Sequence, residues 1–183
     1  STVGGRLAGR LVAIFAIALT MPVVTHASEP SKGSALLAPF KRELKAALQA
    51  GLARGPIEAI DACRVEAPEI SKRLSHDGVR VGRASRRLRN PANAAPEWVL
   101  PILEAYAEDD ADRTPRTITL SDERSGYAEP ILVQPLCLTC HGPSLAPALA
   151  ARIETLYPDD RATGYAAGDL RGVFWVEYPR AAE

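Results

Sequence analysis

Residues 116–142 read RTITLSDERSGYAEPILVQPLCLTCHG. Two strand-forming runs, around Arg116–Leu120 and Tyr127–Val133, lead into a loop that holds Cys137, Cys140 and His141 within five positions. Upstream, the chain is patterned as helices. Ser34 is placed to cap a helix over about 35–50, in which Leu37, Phe40, Leu44 and Leu48 recur at helical spacing. Gly51 and Gly55 weaken its end, and Pro56 suits the first position of a second helix. That helix carries Ile57, Ile60, Cys63, Ala67, Ile70 and Leu74 at steps of three or four, one apolar stripe. Pro68 falls inside it. Proline lacks an amide donor and clashes with the carbonyl four residues back, so a kink or break is expected near Arg64.

His76-Asp-Gly78 marks a turn, and Val79–Arg83 alternates as a strand does. Asn90–Asn93 marks a second turn, and Pro96 opens a third helix with Trp98, Val99, Ile102, Leu103 and Tyr106 on one face. Beyond the cysteine loop come a short helix near Ala146–Tyr157, a loop bearing Gly and Asp, and a last strand, Gly172–Glu177. Helices first and a small antiparallel sheet later read as an α+β fold.

The first residues are expected to stand outside that fold. Arg6 and Arg10 precede an apolar run, Leu11–Leu19, and the small-residue stretch up to Ser28. A positive start, an apolar centre and a small-residue site form a signal peptide, 1–27, with cleavage after Ala27. The run is shorter than the roughly 20 residues of a membrane-spanning helix. An uncleaved anchor is the alternative, and only then would the protein touch a membrane. The mature chain, 28–183, is expected to be one domain in the periplasm. The sequence has 22 basic and 22 acidic residues. Loss of Arg6 and Arg10 leaves 20 − 22 = −2, which gives no electrostatic case for nucleic acid.

Two thiols separated by two residues can both add to the vinyl groups along one porphyrin edge, and the adjacent histidine can reach iron from the same turn. Cys137, Cys140 and His141 therefore read as the site of one covalently attached heme c, with His141 as proximal ligand. The weaker alternatives are a structural zinc site, which lacks its second pair of ligands, and a thiol–disulfide pair. Methionine is a common partner of histidine on the other side of a heme. The only Met is Met21, inside the expected signal, as is His26. For the mature chain this leaves Cys63, His76 or an open site. Cys63 has a plain structural reading as a small core residue, and His76 as an exposed turn residue.

Several separated segments in order resemble the c-type heme family proteins, a group long catalogued as a domain of unknown function. They are Ala59-Ile-Asp-Ala-Cys63 with Ala67-Pro68, Val81-Gly-Arg-Ala-Ser85, Arg89-Asn-Pro-Ala-Asn93 with Glu97-Trp98, and Cys137-Leu-Thr-Cys-His-Gly142. Tyr157-Pro-Asp-Asp160 with Ala162, Gly164-Tyr165, Gly168-Asp169 and Arg171-Gly172 completes the set. The resemblance spans about Leu36 to Val176. It implies a PAS-like heme domain, a central antiparallel sheet flanked by helices and preceded by N-terminal helices. It also implies that Cys63 opposes the heme histidine as distal ligand. Arg83, Arg89 and Arg171 match positions of the family and are candidates to pair with the heme propionates.

The expected function is that of a periplasmic single-heme protein that senses redox state or a small ligand such as a diatomic gas, or relays one electron to a redox partner. A heme enzyme of peroxidase type with an open iron site, and a plain electron-transfer cytochrome, are the alternatives. No Ser/His/Asp set and no paired carboxylates support hydrolytic catalysis.

Overall fold

The computed structural model describes residue 1 and residues 31–180. Apart from Ser1, the expected signal peptide, with Met21, His26 and the cleavage after Ala27, lies outside the described residues. No helix among the described residues is long and apolar enough to cross a membrane.

Helix α1 spans Lys32–Arg54. Its cap is Ser31 rather than Ser34, because the Ser31 hydroxyl accepts the amide of Ser34 at 3.2 Å. The helix also runs straight through Gly51. A Cβ there would lie 2.7 Å from the Ala59 Cα, so glycine at this position lets the next helix pack closely. Helix α2, Pro56–Asp61, starts on its proline as expected.

The helix continues past Pro68, but its α-ladder is interrupted across Arg64, where a kink or break is expected. A π-helical turn, Ala62–Glu66, joins α2 to α3, Ala67–Leu74, and the amide of Ala67 bonds the carbonyl of Ala62. The wider turn, placed just before Pro68, accommodates a residue that cannot donate in an α-ladder. Cys63 is the second residue of this π turn.

Four strands follow: β1 Arg80–Ala84, β2 Arg116–Ser121, β3 Arg124–Leu132 and β4 Leu170–Pro179. They form one antiparallel sheet in the order β1-β4-β3-β2, so the last strand enters the middle. Alternate residues of a strand face opposite sides. On one face Tyr127, Val176 and Tyr178 pack against Leu37 and Phe40 of α1 and Ile70 of α3. On the other, Ala128, Val173 and Trp175 pack against Val99, Ile102, Leu103 and Tyr106. The latter residues belong to a short 3-10 turn, Glu97–Val99, and to α4, Leu100–Glu108. Each large side chain buried this way contributes roughly 1.5–3 kcal/mol. Two carboxylates inside the sheet are paired. Glu129 meets Lys41 and the Tyr127 hydroxyl, and Glu177 meets Arg80, Arg124 and the Trp98 indole. The result is the expected α+β architecture, a central sheet covered by helices on both faces.

Candidate functional site

The cysteine segment leaves the sheet where β3 ends. Val133 donates to the carbonyl of Asp169 at 2.9 Å and accepts from Gly168 at 2.8 Å, which ties this exit to the turn that opens β4. A 3-10 turn, Pro135–Cys137, passes into a single α-turn, α5, Leu138–His141. Cys137 and Cys140 are three apart in this continuous turn; Cys137 packs with Val133, Ala162 and Tyr165, and Cys140 with Ile60, Leu149 and Ile153. Gly142 closes the turn by donating to Leu138 at 2.9 Å; a Cβ on it would stand 2.6 Å from that same oxygen. Cys63, Cys137 and Cys140 are all free thiols and all half-buried.

His141 is fixed at both ring and backbone. Its Nδ1 lies 2.6 Å from the carbonyl oxygen of Ala162. A carbonyl can only accept, so Nδ1 carries the proton and Nε2 presents its lone pair. The His141 carbonyl accepts from Tyr165 at 3.0 Å, and that of Gly142 accepts from Gly164 at 2.9 Å. Burial above all, then the guanidinium charges of Arg171 and Arg89, push the imidazole pKa down to about 3, so the ring is neutral. The Cys140 thiol is pushed up by burial, with Cys63 and Cys137 adding to that and Arg89 opposing it.

The loop that holds His141 is itself anchored by a buried ion pair. Arg89 Nη2 donates to Asp160 Oδ2 at 2.9 Å and to the carbonyl of Cys140 at 2.7 Å. Asp160 Oδ1 accepts the amide of Ala162 at 2.9 Å. Arg89 therefore links the thiol turn to the histidine's acceptor loop, while its Nε is buried without a partner. Arg171 donates to the hydroxyl of Ser85 and the carbonyl of Arg87. Burial lowers its pKa most, and the charges of Arg83 and Arg89 lower it further. The three arginines expected at the site thus share one electrostatic neighbourhood. Asp160 pairs with one of them, Arg89.

Cys63 is brought to this site. Ile60, one turn before it, packs with Leu149 and Ile153 of α6, Pro147–Leu156, in a cluster that also includes Cys140, Leu145 and Tyr157. His76 is not. It pairs with Asp77 in an exposed turn, and Gly78 of that turn abuts Pro179. The cysteine turn lies at the Leu170 end of β4, so the length of that strand, about 30 Å, separates the two histidines.

These residues fit the requirements of a heme c. Two thiols stand three positions apart on a single turn, and an adjacent neutral imidazole has Nε2 available. A third thiol stands close to that turn, and Arg83, Arg89 and Arg171 supply positive charge to meet carboxylates. Leu136, next to Cys137, and Val65, two residues after Cys63, are large apolar side chains left exposed. No group of three or more His, Cys, Asp or Glu among the described residues is arranged to hold a bare metal ion. The sequence did not point to Ala162 or to the Arg89–Asp160 pair. A backbone acceptor has no residue signature, and the pair spans 71 positions.

A family model described as Tll0287-like matches residues 17–179. No curated protein matches. Among solved structures, the crystal structure of the cyanobacterial heme-protein Tll0287 matches with a TM-score of 0.63 and 24% identity, covering 81% of this chain and 93% of that one. At that identity the likeness is one of fold, and it bears out the expected PAS-like α+β arrangement.

Proposed function

Because this chain belongs to the Tll0287-like family, we propose that it is a heme-binding protein, carrying one covalent heme c and serving as a redox or small-ligand sensor or a one-electron relay. The observation that carries the reading is the tautomer of His141, whose Nδ1–H is spent on Ala162 so that Nε2 is left as a ligand atom. A heme c supplies one-electron exchange at iron and a site for a diatomic ligand. Cys137 and Cys140 form the thioether links, His141 is the proximal ligand, and Cys63 is the distal ligand. Arg83, Arg89 and Arg171 are the partners of the two propionates, and their shared electrostatic neighbourhood supports this. Covalent attachment of this kind takes place outside the cytosol, so we propose export through the residue 1–27 segment and a periplasmic site of action. A peroxidase-type reading has less support, because the histidine that could serve as a distal acid–base group, His76, lies at the far end of β4.

The test is direct. The purified, exported protein is denatured and extracted with acidified organic solvent, and its intact mass is measured. Retention of the heme on a chain that begins at Ser28, with the added mass of one heme, is the expected result. Heme in the solvent phase overturns covalent attachment, and a chain that retains Arg6 and Arg10 overturns cleavage.

A further inference from the structure

A cleft of about 580 Å³ opens between α4 and the start of β4, on the side of Tyr165 away from the thiols in sequence. Five arginines line it, Arg86, Arg87, Arg113, Arg161 and Arg171, against the single carboxylate of Asp169. Arg86 and Arg113 have carboxylate partners, Glu104 and Asp110. Arg87, Arg161 and Arg171 have none among the described residues. The Arg87 guanidinium lies 4.2 Å from the centre of the Tyr165 ring and that of Arg171 lies 5.5 Å from it, so both are held against the same aromatic ring. Arg87 is further fixed by the carbonyls of Arg161 and Thr163, and Arg171 by Ser85. Buried or braced guanidinium groups without an anion are costly, and a converging set of them is a receptor for one. The apolar part of the wall, Leu103 and Leu170, suits a short carbon skeleton.

We propose that this cleft binds a small organic dianion, a short dicarboxylate or a phosphate ester, gripped by Arg87 and Arg161. Its volume lies within the roughly 300–1,000 Å³ of small-ligand sites, larger than a bare ion requires. The cleft adjoins the Cys137–His141 turn, because Tyr165 lines it and the Tyr165 ring stands 6.3 Å from that of His141, and Arg171 also belongs to the neighbourhood assigned above to the propionates. The proposal does not depend on heme being present.

The test is calorimetric titration of the purified exported protein at low ionic strength, with succinate and with inorganic phosphate as probes. Saturable 1:1 binding is expected. Arg161→Gln removes an exposed side chain whose backbone amide bond to Leu88 is unaffected, and should weaken binding about tenfold or more. Arg42→Gln, on α1 outside the cleft, should leave it unchanged. Preference for succinate identifies a carboxylate ligand, and preference for phosphate identifies a phosphate ester. Absence of saturable binding, or equal affinity in wild type and Arg161→Gln, overturns the proposal. So does binding seen only in a heme-free Cys137→Ser/Cys140→Ser chain, because the bound group's own carboxylates would then fill the cleft. If the protein proves to hold no heme, the calorimetry still reads the cleft, so the two failures are distinguishable.

Discussion

The Nδ1 atom of His141 stands 2.6 Å from the backbone carbonyl oxygen of Ala162, a residue 21 positions further along the chain. That bond selects one tautomer and orients the ring. His141→Gly should therefore keep the thioether links of Cys137 and Cys140 but lose the low-spin absorption of the heme-loaded protein, and added imidazole should restore it. A spectrum unchanged by the substitution would remove His141 from the ligand set.

Cys63 occupies the π turn and is half-buried, so its replacement should perturb the site more than the core. Cys63→Ala is expected to abolish the low-spin thiolate signature in ferric electron paramagnetic resonance and to raise the midpoint potential, because an anionic ligand favours the ferric state. The denaturation midpoint should change little. An unaltered resonance spectrum would return Cys63 to the role of a packing residue.

Arg89 and Asp160 are about one-tenth exposed, at 12% and 9% of their side-chain surface. Removing one partner leaves a buried charge uncompensated, which costs about 3–5 kcal/mol. Asp160→Ala also removes the acceptor of the Ala162 amide. Urea denaturation should show a loss of this size for Asp160→Ala, and the double variant Arg89→Met/Asp160→Ala should recover part of it. Strict additivity of the two single changes would mean that the pair is not coupled.

Tyr106 is fully buried, and its hydroxyl donates to the carbonyl of Thr114. Burial chiefly raises its pKa to about 12 from the ordinary 10.0. Between those values the folded chain keeps a proton that the unfolded chain sheds. The stabilisation is full below pH 10 and is lost as pH rises toward 12, by at most about 2–3 kcal/mol. Tyr106→Phe should cost about 1 kcal/mol at neutral pH through the lost hydrogen bond. It should also show a shallower alkaline loss than wild type in denaturation midpoints measured from pH 9 to 12. Parallel curves for the two proteins would refute this account.

The order of helices and strands was legible because it rests on local periodicity. The apolar stripe of Ile60, Ala67 and Ile70, the strand runs read around 116–120 and 127–133, and the turn of Cys137, Cys140 and His141 each carry their pattern within a few residues, though the second strand starts three residues earlier than its pattern shows, at Arg124. What Pro68 would do was only half legible. The lost amide donor follows from proline alone, but whether the chain kinks or widens into a π turn depends on what the helix packs against, here α1 and α6. Ser34 failed as a cap for a similar reason. The turn before it is secured by Gly33 lying against Tyr127 of β3, a contact across the sheet that no local rule reports.

The sequence by itself determined the fold class, the thiol spacing and the set of residues able to ligate iron. These are short-range properties, set by side-chain chemistry and by the reach of a single helical turn. Only the tertiary structure decided which of them meet. It brought Cys63 near Cys140 through the packing of Ile60 on α6, and placed His76 at the opposite end of β4. It also gave His141 its tautomer through Ala162. Those outcomes depend on strand order and on contacts between distant residues, and many different sequences with the same local pattern could place such residues otherwise.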